Sequence, residues 1–503
     1  TVNYSKQSNL LATDLGVTAD LSGAVTGAGW ASGDAFDSIE NLVGTQGKDT
    51  LYGDLNANDI QAGTGDDTVQ GRLGNDTLDG GLGLNTLSYA DRTAGTGVTV
   101  DLSSTADTNG FITVSIGSGA NQETDKIKNF THLVGGAGQD QLIGNADANQ
   151  LDGGLGNDTL VGGLGADTLI GGDGLDFVKF TTQVTASLAD ASINLGAEAQ
   201  GDTYEGIEGL EGSDLDDTLH AANTGSTLLG GKGNDTLFSG TGADSLDGGD
   251  GQDVLSYANA VHAGGVRVDF LNTDLANGDV IDRVEKVIGS AGSDTFMAKV
   301  GGSVVAFDGG SDAVGIADGK INTVSFLGNT GNSGLNVSLT SVPGATYAFI
   351  NIDNLTGTTG NDTLTGSSTA NVIDGGAGAD TLIATAGNDT LIGGDGFDIA
   401  DFSSLTLTAG LNMTLPGGTG VDQMVNIGVA HQITLRQIEG VNASALADTI
   451  VGSDGADLIN ALAGNDSLNG QGGDDLIVVG AGNHTLDGGS GTDLLSFVGN
   501  APD

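Results

Sequence analysis

Turn-like and strand-like residues alternate along the chain with a nine-residue period. Residues 153–177 read GGLGNDTLVGGLGADTLIGGDGLDF. In each nonapeptide the first six residues have the composition of a turn, and the last three that of a short strand with one aliphatic residue. Leu160, Leu169 and Val178 are these aliphatic residues, and we expect them to face inward. The pattern predicts many very short strands joined by glycine-rich turns.

Two nonapeptides are predicted to form one coil of a flattened parallel solenoid. Successive coils then lie about 4.8 Å apart in the hydrogen-bonding direction. Position six of every second repeat stacks on the equivalent residue one coil away. Asp140 is therefore expected near Asp158 and Asp176, and Asn149 near Asp167.

The nonapeptides occur in six runs, and alternating segments that read as ordinary strands separate them. The runs cover residues 44–88, 135–179, 212–256, 289–310, 357–401 and 443–496. The fourth run loses its glycine and aspartate pattern after Met297. We predict six modules, at residues 1–88, 89–179, 180–256, 257–325, 326–401 and 402–503.

The composition favours a repeat architecture over large globular cores. The 503 residues include 90 Gly but only 3 Pro, 1 Trp and no Cys, and the formal net charge is -52. Such a charge repels nucleic acid and anionic membrane surfaces, so neither is a predicted partner. No apolar run approaches about 18 residues, so no membrane insertion is predicted. Hydrophobic residues make up 37% of the chain and keep a regular phase, which argues against disorder.

The predicted stacking of carboxylates requires a cation. Two like charges about 4 Å apart cost roughly 1 kcal/mol in water and about 4 kcal/mol at an effective dielectric constant near 20. Carboxylate and backbone carbonyl oxygens form a hard-oxygen environment, which suits calcium better than zinc or copper.

The motif GGxGxDxUx, in which U is aliphatic, occurs at residues 153–161 and 162–170. It resembles the calcium-binding repeat of the RTX (repeats-in-toxin) parallel β-roll family. The resemblance implies multiple calcium ions and an all-β fold. We expect a parallel β-roll/β-solenoid rod of six tandem modules, with the intervening β segments forming wider coils. Six small β-sandwiches threaded on rolls are the alternative.

The candidate calcium ligands are position-six aspartates with intact glycines on both sides. They are Asp67, Asp76, Asp140, Asp158, Asp167, Asp176, Asp235, Asp244, Asp253, Asp380, Asp389, Asp398, Asp457, Asp466, Asp475 and Asp493. Asp294 and Asp362 rank below these because they stand at the ends of runs. Few or no ions are expected in the degenerate fourth run.

The sequence lacks four common catalytic or nucleotide-binding signatures. There is no HExxH zinc motif, no cysteine nucleophile, no GxSxG elbow and no GxxxxGK[ST] phosphate loop. Carboxylate pairs could be chosen by chance from 66 acidic residues, so they carry no weight. We therefore predict that the chain is not an enzyme.

The resemblance implies type I secretion and an extracellular location at the cell surface of a Gram-negative bacterium. We expect a calcium-dependent structural protein that folds on calcium and self-assembles into a surface layer (S-layer), filament or matrix. The alternatives are the repeat region of a large adhesin, or an accessory region of a secreted enzyme such as an alginate epimerase or a protease. A cell-surface polysaccharide is a further candidate partner.

The two termini have nearly the same phase in the repeat. Residues 1–4 align with residues 86–89, and the chain closes just after residues 495–497. This phase suits head-to-tail stacking, in which a heterologous contact that does not close gives filaments or lattices. A piece cut from a longer array has the same phase, so both interpretations stay open.

Overall fold

The computed structural model of the chain is almost entirely β-structure. It describes residues 1–5, 16–23, 28, 31–117, 122–258, 265–271, 278–310, 320–329, 334–340, 345–418, 420–427 and 431–498. Within these ranges no helix has the length and apolarity needed to cross a membrane. The chain divides into two compact units, Thr1–Asp253 and Val254–Asp503, and the six-module division stays a prediction.

The described part of the first unit contains very short strands and the 3-10 helix Ala191–Ile193. In chain order the described strands are β1 (Val2–Asn3), β2 (Thr18–Asp20), β3 (Asn41–Val43), β4 (Thr50–Tyr52), β5 (Asp59–Gln61), β6 (Thr68–Gln70), β7 (Thr77–Asp79), β8 (Thr86–Ser88), β9 (Val98–Asp101), β10 (Ile112–Ile116), β11 (Glu123–Lys128), β12 (His132–Val134), β13 (Gln141–Ile143), β14 (Gln150–Leu155), β15 (Thr159–Val161), β16 (Thr168–Asp173), β17 (Phe177–Lys179), β18 (Thr185–Ser187), β19 (Thr203–Glu205), β20 (Gly209–Glu211), β21 (Thr218–His220), β22 (Thr227–Lys232), β23 (Thr236–Phe238) and β24 (Ser245–Asp250).

Successive strands of the first unit alternate between parallel sheets. One sheet has the order β1-β3-β5-β7-β11-β10-β9-β13-β15-β17-β20-β22-β24, and another β2-β4-β6-β8-β12-β14-β16-β19. Strands β18, β21 and β23 add a third parallel ladder. Within the runs the register advances by 18 residues, so Leu142 pairs with Leu160. Two nonapeptides therefore make one coil, as predicted.

An antiparallel hairpin interrupts this parallel stacking. Strand β10 pairs antiparallel with β11 and with β9, while β11 pairs parallel with β7. The hairpin lies between the first and second runs, where the nine-residue period is absent.

The second unit is built in the same way. Its described strands are β25 (Val254–Ser256), β26 (Arg267–Asp269), β27 (Val280–Asp282), β28 (Lys286–Ile288), β29 (Thr295–Met297), β30 (Ala306–Asp308), β31 (Thr323–Ser325), β32 (Asn336–Ser338), β33 (Ala348–Ile350), β34 (Asn354–Thr356), β35 (Thr363–Thr365), β36 (Val372–Ala377), β37 (Thr381–Ile383), β38 (Thr390–Asp395), β39 (Ile399–Asp401), β40 (Asn412–Thr414), β41 (Gln423–Asn426), β42 (Gln432–Arg436), β43 (Gly440–Asn442), β44 (Thr449–Val451), β45 (Leu458–Asn460), β46 (Ser467–Asn469), β47 (Leu476–Val479), β48 (Thr485–Asp487) and β49 (Leu494–Phe497).

Parallel ladders again dominate the sheets of the second unit. Their orders are β26-β29-β31-β34-β36-β38-β42-β41, β32-β35-β37-β39-β43-β45-β47-β49, β25-β28-β30-β33 and β40-β44-β46-β48. Strands β41 and β42 form an antiparallel pair. In the degenerate fourth run the core is aromatic: Phe307 lies 5.8 Å from Phe296 and 6.0 Å from Phe349 between ring centroids.

The thin core is a stack of position-eight side chains. Leu160, Leu169 and Val178 are fully buried, which confirms their predicted inward orientation. The segments between runs enter the same ladders: β9 pairs parallel with β13, and β32 with β35. These pairings support continuous β-solenoid coils over separate sandwiches.

The burial pattern predicts how two leucines in neighbouring repeats differ in their effect on stability. Leu160→Ala should lower the free energy of unfolding by about 2–5 kcal/mol, because it leaves a cavity in the stack. Leu164→Ala should change it by less than about 0.5 kcal/mol, because Leu164 is 49% exposed. Denaturant titration in saturating calcium measures both values, and equal losses would contradict the predicted core.

Candidate metal centres

Position-six residues form hydrogen-bonded ladders along the edges of the coils. The Asp140 amide donates to Oδ1 of Asp158 at 2.7 Å, and the Asp158 amide donates to Oδ1 of Asp176 at 2.7 Å. On the other edge the Asn149 amide donates to Oδ1 of Asp167 at 2.8 Å. The predicted stacking of these residues is therefore present.

Burial distinguishes the last of the sixteen predicted ligands from the others. Fifteen are buried, whereas Asp493 is exposed and accepts the Asp475 amide at 3.2 Å through Oδ1. Each buried carboxylate has lost most of its contact with water, so both of its oxygens need partners.

Many of these aspartates have a second oxygen without a partner. Oδ2 of Asp158 is buried and has no hydrogen-bond partner among the described residues. We call such a carboxylate open. The predicted ligands in this class are Asp67, Asp76, Asp158, Asp167, Asp176, Asp235, Asp380, Asp398 and Asp475. A buried carboxylate oxygen without a partner is costly unless a cation neutralises it.

The space beside an open oxygen is lined by a backbone carbonyl as well. A Cβ placed on Gly153, at position one, would lie 2.4 Å from Oδ2 of Asp158 and 2.7 Å from the carbonyl oxygen of Gly171. Glycine at position one of this repeat leaves the space empty. Carboxylate and carbonyl oxygens are the donors that calcium prefers, so the residues fit the ion.

The oxygen donors at one site do not come from a cluster of acidic side chains. Among the described residues, no group of three or more histidine, aspartate or glutamate side chains is arranged to hold a metal. A calcium ion in the ladder would therefore combine individual carboxylates with backbone carbonyls.

Four other predicted ligands have both oxygens engaged, and we call these carboxylates closed. Oδ2 of Asp140 accepts the Gly136 amide at 2.6 Å, and Oδ2 of Asp457 accepts the Ser453 amide at 2.5 Å. The other two, Asp244 and Asp389, accept hydroxyl hydrogen bonds at 2.9 Å from Ser239 and Thr385, respectively. A cation has to displace these donors to reach the same oxygen.

The backbone at position two separates the open and closed classes. It has positive φ in the open repeats of Asp158 and Asp167, at +100° in Gly154 and +92° in Gly163. In the closed repeats the position-two amide instead donates to the carboxylate. Gly136 is an example, and its φ is not positive. The orientation of this peptide thus decides whether Oδ2 has a partner.

Three non-glycine residues adopt the open conformation at position two. They are Arg72, Leu462 and Gln471, with φ of +66°, +57° and +69°. Such a conformation costs of order 1–3 kcal/mol per residue and persists only where the surroundings enforce it. The open geometry is therefore maintained even without the second glycine of the motif.

Two predicted ligands remain outside this division. Oδ2 of Asp466 lies 3.0 Å from Nδ1 of His484, which itself occupies position six. Asp253 accepts the Asp235 amide at 2.8 Å through Oδ1.

Residues in the intervening segments, which the nonapeptide motif does not predict, also continue the ladders. The Asp167 amide donates to Oδ1 of Asp202 at 2.8 Å, and Oδ2 of Asp202 is buried without a partner among the described residues. The Asp176 amide donates to Oε2 of Glu208 at 2.9 Å. The Asp-Thr pair at residues 202–203, as in the nonapeptides, was the available signal for Asp202.

Asp125 joins a ladder in a different way. It accepts the Asp76 amide at 2.9 Å through Oδ1, and its Oδ2 accepts the Tyr89 hydroxyl at 3.0 Å. No repeat signal marks it, because it lies in the antiparallel hairpin.

Burial shifts the acid–base equilibria of the open aspartates. Desolvation, together with the charges of Asp140 and Asp176, raises the pKa of Asp158 to about 7. Desolvation likewise raises the pKa of Asp67 to about 6 and that of Asp76 to about 8. Protons and cations thus compete for the same buried oxygens.

These raised pKa values predict how the metal-free chain responds to pH. A carboxyl group with a raised pKa binds its proton more tightly in the folded state, so its contribution to stability is complete below about pH 4. The contribution is lost as the pH rises through about 6 to 8. Circular dichroism in calcium-free buffer should show more β-structure at pH 5 than at pH 8, and the reverse order would refute the assignment.

A family model for the RTX calcium-binding nonapeptide repeat matches the chain in several places. The matched residues are 34–60, 52–87, 131–160, 152–179, 222–255, 347–382, 365–400, 443–477 and 470–497. A comparison with curated proteins found no match. The matched segments contain every predicted ligand, and repeats of this family bind multiple calcium ions. The matched segments of the chain are therefore RTX calcium-binding nonapeptide repeats.

Proposed function

We propose that this chain is a non-catalytic, extracellular structural region whose folding is coupled to calcium. The open carboxylates carry the proposal, because each has a buried oxygen without a partner among the described residues. At Asp158 and Asp235 a backbone carbonyl lines the same space. A bound cation would supply the missing partner in the folded state only, so it would stabilise that state in proportion to its free concentration.

The charge of the whole chain supports the same coupling. A net charge of -52 favours an expanded chain through self-repulsion when cations are scarce. Millimolar calcium outside a cell would neutralise the stacked carboxylates and allow the coils to form. Folding only where calcium is abundant is compatible with secretion in an unfolded form by a Gram-negative bacterium.

Self-association is the second part of the proposal, and strand β49 carries it. Leu495 at position eight pairs with Ile477, yet Leu495 is 43% exposed while Ile477 is 3% exposed. Phe497 in the same strand is 62% exposed. Among the described strands β49 lies at the edge of its sheet, which is a template for another strand. We propose that a second copy of the chain covers this surface.

The assignment of the open aspartates predicts the outcome of a triple substitution. Asp158→Asn, Asp167→Asn and Asp176→Asn together should raise the free calcium needed for folding of the first unit by about tenfold or more. The control is the triple variant Asp91→Asn, Asp147→Asn and Asp454→Asn, which changes the charge equally at exposed positions. Calcium titration followed by circular dichroism measures both midpoints, and equal midpoints would reject the assignment.

Light scattering tests self-association. As free calcium rises to millimolar, the wild-type chain should form large species that a chelator disperses. Leu495→Lys with Phe497→Lys should prevent this growth, whereas Leu82→Lys with Leu164→Lys, at other exposed leucines, should not. Contraction of the wild type to a compact monomer would exclude autonomous assembly and favour the adhesin or enzyme-accessory alternatives.

A further inference from the structure

The distribution of closed carboxylates along the chain follows the order of the repeats. In the first nonapeptide of each run, the position-two amide donates to the position-six carboxylate. The donor and acceptor pairs are Thr45 and Asp49, Gly136 and Asp140, Ser213 and Asp217, Ser290 and Asp294, Thr358 and Asp362, and Ser444 and Asp448.

The second nonapeptide of most runs is closed as well, on the opposite edge. Position six is there an asparagine, a serine or a closed aspartate. The pairs are Asp54 and Asn58, Asn145 and Asn149, Ala222 and Ser226, Ser367 and Asn371, and Ser453 and Asp457. Two nonapeptides make one coil, so these runs begin with a coil that is closed on both edges.

Hydroxyl groups reinforce this closure. The Ser213 hydroxyl donates to Oδ2 of Asp217 at 2.9 Å, and the Thr358 hydroxyl donates to Oδ1 of Asp362 at 3.0 Å. In most interior repeats a glycine with positive φ stands at position two instead, as at Gly231. The opening coil therefore provides from its own backbone and hydroxyl groups the partners that the interior carboxylates lack.

We infer that the opening coil of each run is a metal-free end, and that calcium binds only at the open carboxylates of later coils. This assignment rests on the proposed calcium-coupled folding and adds which coils take ions. It places Asp140 and Asp457, which the motif predicts as ligands, outside the ion sites. Asp244 and Asp389 are closed in the same manner within the interior of their runs.

The same criterion adds a site outside the segments that the family model matches. Asp202 lies between the matched segments that end at residue 179 and begin at residue 222. It is 1% exposed and its Oδ2 has no partner among the described residues. Strand β19 pairs in register with β16, which places Asp202 one coil beyond Asp167. Asp202 is thus an additional calcium ligand in an intervening segment.

An opening coil without metal has a physical role at the boundary of a run. An ion between two coils needs carbonyls and carboxylates from both, and the first coil follows a segment of different backbone geometry. Closing its carboxylates internally lets that coil pack on the segment before any ion arrives. It then presents a preformed edge to the first coil that binds calcium.

Calcium stoichiometry of matched variants of the full-length chain tests this inference. Asp217 and Asp235 stand one coil apart in the same ladder, and the Asp217 amide donates to Oδ1 of Asp235 at 2.7 Å. Both are buried, and conversion to asparagine changes the charge equally. Native mass spectrometry and equilibrium dialysis at saturating calcium count the ions. Circular dichroism verifies that each variant is folded.

Asp235→Asn should lose one bound ion relative to the wild type, while Asp217→Asn should retain the wild-type number. Asp202→Asn should lose one ion. The pair Asp475→Asn and Asp457→Asn repeats the comparison in the second unit, with loss expected only for Asp475→Asn. If either opening-coil variant fails to fold, the pair in the other unit decides.

The outcomes separate this inference from the proposed function. Loss of an ion from a folded Asp217→Asn or Asp457→Asn variant would overturn the metal-free opening coil. Full retention by Asp202→Asn would remove that site alone. A wild-type chain that binds no calcium would instead reject the proposed function itself.

Discussion

The structure depends on one hydrogen bond, which joins the position-six amide of one coil to a carboxylate of the next. The bond from the Asp140 amide to Asp158 is an example. It fixes the 18-residue register and buries the carboxylate at the coil edge. Since it uses only one carboxylate oxygen, it also determines that the other oxygen needs a partner. The fold and its need for cations thus have the same origin.

The peptide at position two decides how that need is met. If its amide points at the carboxylate, the protein supplies the partner, as Ser453 does for Asp457. If its φ is positive, the amide points elsewhere and a hard-oxygen site is left, as at Gly154. A glycine at position two lowers the free-energy cost of the positive-φ conformation but does not enforce it. Arg72 adopts that state, whereas Gly136 adopts the closed one.

These two glycine positions explain how much of the site could be predicted from the sequence. The nine-residue period was sufficient for the parallel coils, the buried Leu160 and the stacking of Asp158 on Asp140, because these follow from chain geometry. The motif could not separate open from closed carboxylates. Gly136 and Gly154 both stand at position two of a GGxGxD repeat. Gly136 packs against Arg92 and Tyr89, whereas Gly154 packs against Gly136 of the preceding coil.

The intervening segments were predicted as strands of wider coils, but the ladder positions of their residues could not be predicted, because their register is set by tertiary stacking and not by sequence spacing. Asp202 lies 35 residues from Asp167, yet it takes the place that an 18-residue step would fill. The intervening segments differ in length, but each must bring its strand to the next position of the same ladder. The parallel pairing of β16 with β19 imposes that return.

Glutamate provides a way to end a ladder on one edge. The Asp176 amide donates to Glu208 and the Asp398 amide to Glu439, each at 2.9 Å through Oε2. Both glutamates stand shortly before a run whose first coil is closed. An ion-binding segment is therefore bounded by coils that complete their own hydrogen bonds. In the fourth run Asp294 is closed by Ser290 and the core around Phe307 is aromatic, so we expect apolar packing to stabilise these coils in place of cations. Some sections of the chain thus depend mainly on electrostatic interactions and others on apolar packing, and both keep the parallel register.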